Sequence, residues 1–410
     1  MTVPQGPASP TPLRVLVLST VFPSPADPLH GLFVLERLRH LAGRVRLRVV
    51  APVAWRAWRK LRVVRSERDG LPVCHPTFHY VPGGLKALHG VLLFLSSLAC
   101  VRRLWREEPF DLIDAHFAYP EGFAAVLLGR WFRVPVVVTL RGTLIPMRSD
   151  RLRSALAGWA LRRADRIIAV SQPLADRALE LGATPERLTV ISNGVDVGRF
   201  QPLDRTEARR RLGLPLEGRL VVSVGHLCRR KGFHRLIEQW SAVRGAVGAV
   251  SLAIIGGPGK EGDEAAALAD LTARHGLEDS VWLVGARPPA EVMLWLNAAD
   301  LFVLASSFEG SPNVVYEAWA CGCPVVVTEV GDLRQTVTAD LGLVSGPADD
   351  TAALRGALVT ALGREWDRAG IRRKAEARPW TTVADEVMTQ WHAACHTPSS
   401  EGTRHETAPA

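Results

Sequence analysis

The stretch Ser306-Ser-Phe-Glu-Gly-Ser-Pro-Asn-Val-Val-Tyr-Glu-Ala-Trp-Ala-Cys-Gly-Cys-Pro-Val325 decides the reading of this chain. It follows the apolar run Leu301 to Leu304, read as a strand, so it begins at a strand C-terminus. Ser311 is placed to cap a helix, and Pro312 suits a first helical position. The free amides of such a helix start, with the positive end of its dipole, make an anion site. Glu309 lies in the loop before that helix and Glu317 inside it, so two carboxylates flank the anion site at different depths. Alone, the pair would also fit an ordinary helix with an acidic start and one exposed Glu.

Outward from this stretch, strand-like and helical patterns alternate. In the C-terminal half the strand runs are Leu220 to Val224, Ser251 to Ile255, Val281 to Val284, Leu301 to Leu304 and Pro324 to Thr328. Helical stretches lie between them, near Arg235 to Val243, Glu264 to His275, Ala290 to Ala298, Asn313 to Ala320 and Thr351 to Leu362. The N-terminal half repeats the scheme. Its strands are Arg14 to Ser19, Arg46 to Val53, Leu112 to Ala115, Val134 to Thr139 and Arg166 to Val170. The expected class is α/β: two doubly wound domains with parallel sheets covered on both faces. Expected boundaries are a flexible start over 1–12, a first domain over 13–198, a second over 199–378, a C-terminal helix over 379–395 with a return to the first domain as one option, and a disordered tail over 396–410. Such sheets bind ligands at their strand C-termini, here in a cleft between the domains.

The order of several short segments resembles glycosyltransferase family 4, whose members have the GT-B fold of two facing Rossmann-like domains and retain anomeric configuration. The long stretch carries that family's E-x7-E element: a Glu-Gly-x-Pro start, Glu-Ala inside the helix, Gly322-Cys-Pro-Val-Val326 after it, and Gly331 where members often have Gly-Gly. The resemblance places Glu309 by the donor sugar and gives Glu317 the nucleotide ribose. Val224-Gly-His-Leu-Cys-Arg-Arg-Lys-Gly232 is similar to the G-R-L-x-x-x-K-G loop that binds the donor diphosphate. Lys231 falls on the family Lys, but His226 stands where the family has Arg, and Arg229 or Arg230 could supply the missing charge. Gly225, Gly257, Gly310, Ser311, Asn313 and Val314 complete the implied donor site. Asn193-Gly-Val-Asp196 with Phe200 resembles the crossing into the second domain. His116, ending Asp114-Ala-His116, matches a His near the reacting sugar. Gly31, after His30, stands where two glycines of an acceptor loop are usual. Phe22-Pro-x-Pro with His30-Gly-Leu-Phe33, and Ala118-Tyr-Pro-Glu-Gly122, look like members that build bacterial exopolysaccharide or teichuronic-acid-type polymers.

Composition sets further bounds. At 410 residues, 47% hydrophobic and 22% charged, the chain can build two or three domains, which excludes wholesale disorder. Six cysteines, none in a CxxC pair, exclude a disulfide scaffold and a zinc module, and point to a reducing compartment. No Asp-x-Asp occurs, so no metal and no other cofactor is expected; the nucleotide-diphosphate sugar is a co-substrate. Met1 to Pro12 shows no secretory pattern, and the longest apolar run, Gly90 to Val101, falls short of the roughly 20 residues of a membrane span. From Met1 to Phe200 there are 28 Lys and Arg against 15 Asp and Glu; from Gln201 to Ala410 there are 22 against 26. A basic first half should face something anionic.

Two segments mimic other functions. Gly257-Pro-Gly-Lys-Glu-Gly262 is formally GxGxxG, but the next strand, ending Leu283-Val284-Gly285, lacks the acid that a dinucleotide site wants. Trp55-Arg-Ala-Trp-Arg-Lys-Leu-Arg62 could stack on single-stranded nucleic acid or sit at a membrane surface. The expectation is a retaining, metal-independent glycosyltransferase of cell-surface polysaccharide biosynthesis. Its partners would be a nucleotide sugar, a glycan or lipid-linked acceptor and an anionic membrane surface, with no nucleic acid. It would be cytoplasmic, peripheral on the inner face of the plasma membrane. The alternatives are a GT-B-fold nucleotide-sugar epimerase and a basic membrane- or nucleic-acid-binding protein.

Overall fold

The computed structural model describes residues 12–25, 27–28, 30–56, 64–81, 84–259 and 261–396. The tail after His396, most of the Trp55 to Arg62 segment and all but the last residue of the N-terminal segment 1–12 lie outside them. The chain divides into two compact units. One ends at Ile191 and resumes at Val383; the other holds Ser192–Thr382.

The sheet of the first unit has eight strands. In spatial order they are Leu188–Val190, Arg166–Ala169, Val136–Leu140, Leu112–His116, Arg14–Leu18, Arg46–Val50, Leu71–Cys74 and Arg65–Arg68. All neighbours are parallel except the last pair, which is antiparallel. That hairpin was not expected from the sequence, because Arg65-Ser-Glu-Arg68 is polar: it is an edge strand with no face to bury. The central strands are continuous apolar runs because helices cover both their faces. Leu16, Leu18, Ile113, Val138 and Ile167 are buried in one cluster with Leu93, Val101, Ala157 and Ala160 from the helices His89–Glu107 and Arg151–Leu161. Cys74, on a strand, and Cys100, on the first of these helices, bring their sulfurs side by side, a proximity the cysteine count did not suggest.

The second unit has six parallel strands, in the order Val281–Gly285, Val250–Ile255, Arg219–Val224, Leu301–Leu304, Val325–Val327, Gly342–Val344. One face buries Trp295, Phe302, Tyr316 and Trp319; the other buries Phe233, Trp240, Val303 and Leu354.

In both sheets the chain starts in the middle, works to one edge and then crosses back to the other side. The reversal falls between Arg14–Leu18 and Leu112–His116 in the first unit, and between Arg219–Val224 and Leu301–Leu304 in the second. At such a point the two outgoing loops diverge and leave an opening at the strand C-termini, where ligands of these sheets bind.

Candidate functional site

In the second unit the two loops at the reversal are Gly225–Gly232 and Ala305–Pro312. They are tied together. Ser307 N donates to Arg230 O at 2.8 Å, Arg230 Nη1 to Phe308 O at 2.9 Å, and Arg235 Nη2 to Ala305 O at 2.6 Å. Gly232 makes the approach possible. Its φ is 72°, and a Cβ there would lie 2.0 Å from Ala305 O, so no other residue fits without moving the backbone.

Glu309 sits at the centre of this junction. Its Oε1 accepts from Lys231 Nζ at 2.6 Å, Ser306 Oγ at 2.7 Å and Arg230 Nη1 at 3.0 Å. Burial alone would push its carboxyl up, but Lys231 and then Arg230 outweigh it and hold the group below the usual carboxylate range. The Lys231 and Glu309 side chains are only 11% and 12% exposed, so this is a nearly desolvated pair rather than a surface ion pair. Arg230 is not a spare charge. Its Nε and Nη2 grip Glu261 at 2.8 and 3.1 Å, and these acids raise its pKa despite burial. Arg229 and His226 are exposed, His226 beside Gly259. Leu227 N donates to Gly257 O at 2.8 Å, so the loop with the decoy GxGxxG pattern lines the same opening.

The helix after the junction spans Asn313–Ala320, with Pro312, not Ser311, at its N-cap and no side-chain cap. The expected Ser311 cap is thus corrected. Pro312 has ψ 107°, outside the helical region, so helical geometry starts one residue later. Asn313 takes the first position, and its Oδ1 accepts from Asn193 Nδ2 at 2.7 Å, which also donates to Ser311 O at 3.1 Å. Gly310 and Val314 flank this start, and Glu317 lies half-buried within the helix.

The corresponding strand ends of the first unit carry a different cluster. His116, Asp114, Thr139 and Arg37 are fully buried and Arg141 nearly so. Arg141 Nη2 lies 3.3 Å from His116 Nδ1, and guanidinium can only donate, so Nδ1 accepts and the ring proton sits on Nε2. Nε2 faces Asp114 Oδ2 at 3.5 Å. Thr139 Oγ1 donates to Asp114 Oδ1 at 3.3 Å and accepts from Arg37 Nη1 at 3.2 Å. Burial, opposed by Asp114 and aided by the two arginines, drops the His116 pKa to about 4, so the imidazole is neutral at pH 7. Phe117 follows with φ 83° and ψ 142°, a conformation that costs a non-glycine residue about 1–3 kcal/mol and clusters at functional sites. Glu121, four residues on, accepts from Thr20 N at 3.2 Å and from the Thr20 hydroxyl in the loop after the first strand. Gly31 opens its helix at φ 76°, against Val21. Sequence reasoning passed over Arg37, Arg141 and Glu261. Arg141 follows a strand directly, which could have marked it; Glu261 sits in the loop read as a Gly-rich edge of the nucleotide site, where only the glycine was singled out.

Both halves of the chain match known protein families. Residues 204–377 match the model of glycosyl transferases group 1, and residues 33–199 match that of glycosyltransferase family 4. TuaC, a teichuronic acid biosynthesis glycosyltransferase of Bacillus subtilis (strain 168), is 32% identical over 336 residues, 78% of this chain and 82% of that protein. A D-inositol 3-phosphate glycosyltransferase of Geodermatophilus obscurus is 32% identical over 96% of this chain and 92% of its own. The chain therefore belongs to the group 1 and family 4 glycosyltransferases. Among solved structures, sucrose-phosphate synthase from Thermosynechococcus elongatus has TM-score 0.77 at 20% identity, covering 93% of this chain and 98% of that one. Anabaena Alr3699/HepE in complex with UDP and glucose has TM-score 0.71 at 21% identity, covering 93% and 99%. The fold is GT-B.

Proposed function

We propose that the protein transfers a sugar, with retention and without a metal ion, from a nucleotide-diphosphate sugar to a glycan or lipid-linked acceptor of a cell-surface polysaccharide, at the cytoplasmic face of the membrane. The observation that carries the reading is Glu309 Oε1 held by Lys231, Arg230 and Ser306 at the strand reversal of the second unit. Lys231 and Arg229 would balance the leaving diphosphate, a preorganised electrostatic role that a metal would otherwise fill. His226 would be a hydrogen-bonding neighbour, and Arg230, held by Glu261 and Glu309, fixes the Glu309 carboxylate. The amides at Gly310 to Val314 point the same way chemically, as a helix start favours anions. Gly225 leaves room for the Lys231 side chain that would reach the phosphates, Gly257 borders the same loop, and Glu317 takes the ribose. The bond from the anomeric carbon to the diphosphate breaks as the acceptor oxygen bonds on the same face and loses its proton. His116, neutral with its proton on Nε2 and its Nδ1 engaged by Arg141, is assigned to orienting the donor sugar rather than to taking that proton. Gly31 belongs to the acceptor loop. The likeness to TuaC supports a polysaccharide acceptor, and the UDP in HepE supports a nucleotide-sugar donor.

The test is a pair of substitutions. Glu317→Ala should weaken nucleotide binding by about 1.5–3 kcal/mol, the worth of a charged hydrogen bond, with Glu309→Ala mainly lowering turnover. Calorimetric titration with UDP, GDP and ADP, and turnover of the matching sugars with and without EDTA, check this. Equal losses of nucleotide affinity, or activity abolished by EDTA and restored by magnesium, would overturn the assignment.

A further inference from the structure

The large exposed apolar residues are distributed very unevenly. Among the described residues ten lie in the first unit and only Leu216 in the second. Several gather on one face. Leu85 and Leu88 are on the turn leading into the helix His89–Glu107, Val91 and Leu95 are on its outer side, and Trp131 ends the helix Phe123–Phe132. All five are 40–61% exposed. The helix divides cleanly, since Leu93, Ser97, Cys100, Val101 and Leu104 face the core. The helix thus presents apolar residues to both core and solvent. By length and composition Lys86–Glu107 would suffice to cross a membrane, contrary to the apolar-run estimate, but its inner side is committed to the core of the unit.

The helices that carry these residues pack against each other. The Phe94 ring stands 6.4 Å from Trp131, and Gly90 packs on Phe123 and Tyr119. The helix Arg151–Leu161, with exposed Leu152 at its start, packs against the turn Lys86–Leu88. Over residues 84–107, 123–134 and 150–164 the sequence has ten Lys and Arg against two acids, Glu107 at the far end of its helix and Asp150, which pairs with Arg153. Lys86, Arg130 and Arg151 are exposed beside the apolar residues. An apolar strip within a predominantly basic rim complements acyl chains under anionic headgroups.

We propose that this face docks the protein on an anionic phospholipid bilayer, with Leu85, Leu88, Val91, Leu95 and Trp131 entering the headgroup boundary and Lys86, Arg130 and Arg151 meeting phosphates. The proposal does not depend on the chemistry assigned to Glu309, and it adds to that reading the surface by which the enzyme reaches a membrane-bound acceptor.

The experiment sediments the full chain with vesicles of phosphatidylcholine alone or with added phosphatidylglycerol, at low and high salt. The wild type should pellet with the anionic vesicles at low salt and lose about tenfold in partition at high salt, as screened basic contacts do. Leu88→Glu with Leu95→Glu should lose at least about tenfold at low salt, and Arg130→Glu with Arg151→Glu a comparable amount. All four sites are exposed, so thermal unfolding and calorimetric nucleotide binding should match the wild type. That separates failure of docking from failure of the donor-site reading. Absence of pelleting, equal binding to neutral vesicles, or double variants that bind like wild type would overturn the proposal. So would lipid-free dimerisation lost in the Leu88→Glu, Leu95→Glu variant, which would make a second copy the occupant.

Discussion

The two units carry the same topology and place their polar clusters at the same point of it, yet they treat charge in opposite ways. At the reversal of the first unit His116, Asp114 and Arg37 have no solvent exposure, and burial empties the imidazole of its proton. At the reversal of the second, Glu309 is nearly as enclosed, but Lys231 and Arg230 keep it ionised, and Arg229 and His226 stand in solvent beside it. The difference is one of partners rather than of depth. A buried group discharges when desolvation outweighs the charges around it, and stays charged when a cation lies within hydrogen-bond reach. One fold thus holds a neutral imidazole at one reversal and a fixed charge array at the other.

The largest effect should come from removing the cation. Lys231→Ala takes away a donor 2.6 Å from an enclosed carboxylate, and should lower kcat/KM by about 10²–10³, the usual loss for one preorganised donor. Steady-state kinetics over a range of donor concentration measure it. A loss under tenfold would mean that Arg230 alone sustains the charge array, and the contrast between the units would weaken.

Acid stability probes the other side. A His116 pKa of about 4 in the folded protein, against about 6.5 unfolded, means that the unfolded chain gains the proton first. Stability from this group is therefore full above pH 6.5 and falls as pH drops from 6.5 to 4, by on the order of 3 kcal/mol. In the second unit His234, also lowered to about 4 by burial and then by Arg229 and Arg235, has the same sign. Asp332, raised to about 6 mainly by burial, has the opposite one, adding stability as pH falls from 6 towards 3.8. Denaturant unfolding of wild type and His116→Asn at pH 7 and pH 4.5 should show the pH dependence shrinking in the variant. An unchanged slope would show that His116 is protonated in the native state.

The smallest effect is expected at Glu261. Its side chain is 54% exposed, so its grip on Arg230 is worth under about 1 kcal/mol. Glu261→Gln should leave the unfolding midpoint almost unmoved and change donor KM by no more than about fivefold, since Arg230 keeps Glu309 and Phe308 O. A drop in kcat/KM beyond tenfold would make Glu261 part of the donor site proper.

Much of this was legible in advance. The strand Leu301–Leu304 and the helices Asn313–Ala320 and Thr351–Leu362 stand where the periodicity put them. The helices Arg205–Leu212 and Arg368–Glu376 were missed because both are dominated by charged residues and show little apolar periodicity to read. The Ser311 cap failed because a composition rule cannot see that Pro312 keeps an extended ψ. Lys231 and Glu309 were legible as neighbours of strand ends, but their pairing joins residues 78 apart and was not.

The sequence by itself determined the alternation of strand and helix, the residue types at each strand end and the charge of each half, because these follow from local periodicity and composition. The tertiary structure alone decided which strand ends meet, that Arg230 faces two carboxylates, that His116 shares its space with Arg141 and Asp114, and which side of the helix His89–Glu107 stays in solvent. Those are matters of distance and burial, and the energy of a charge or an apolar side chain depends on what surrounds it rather than on its place in the chain.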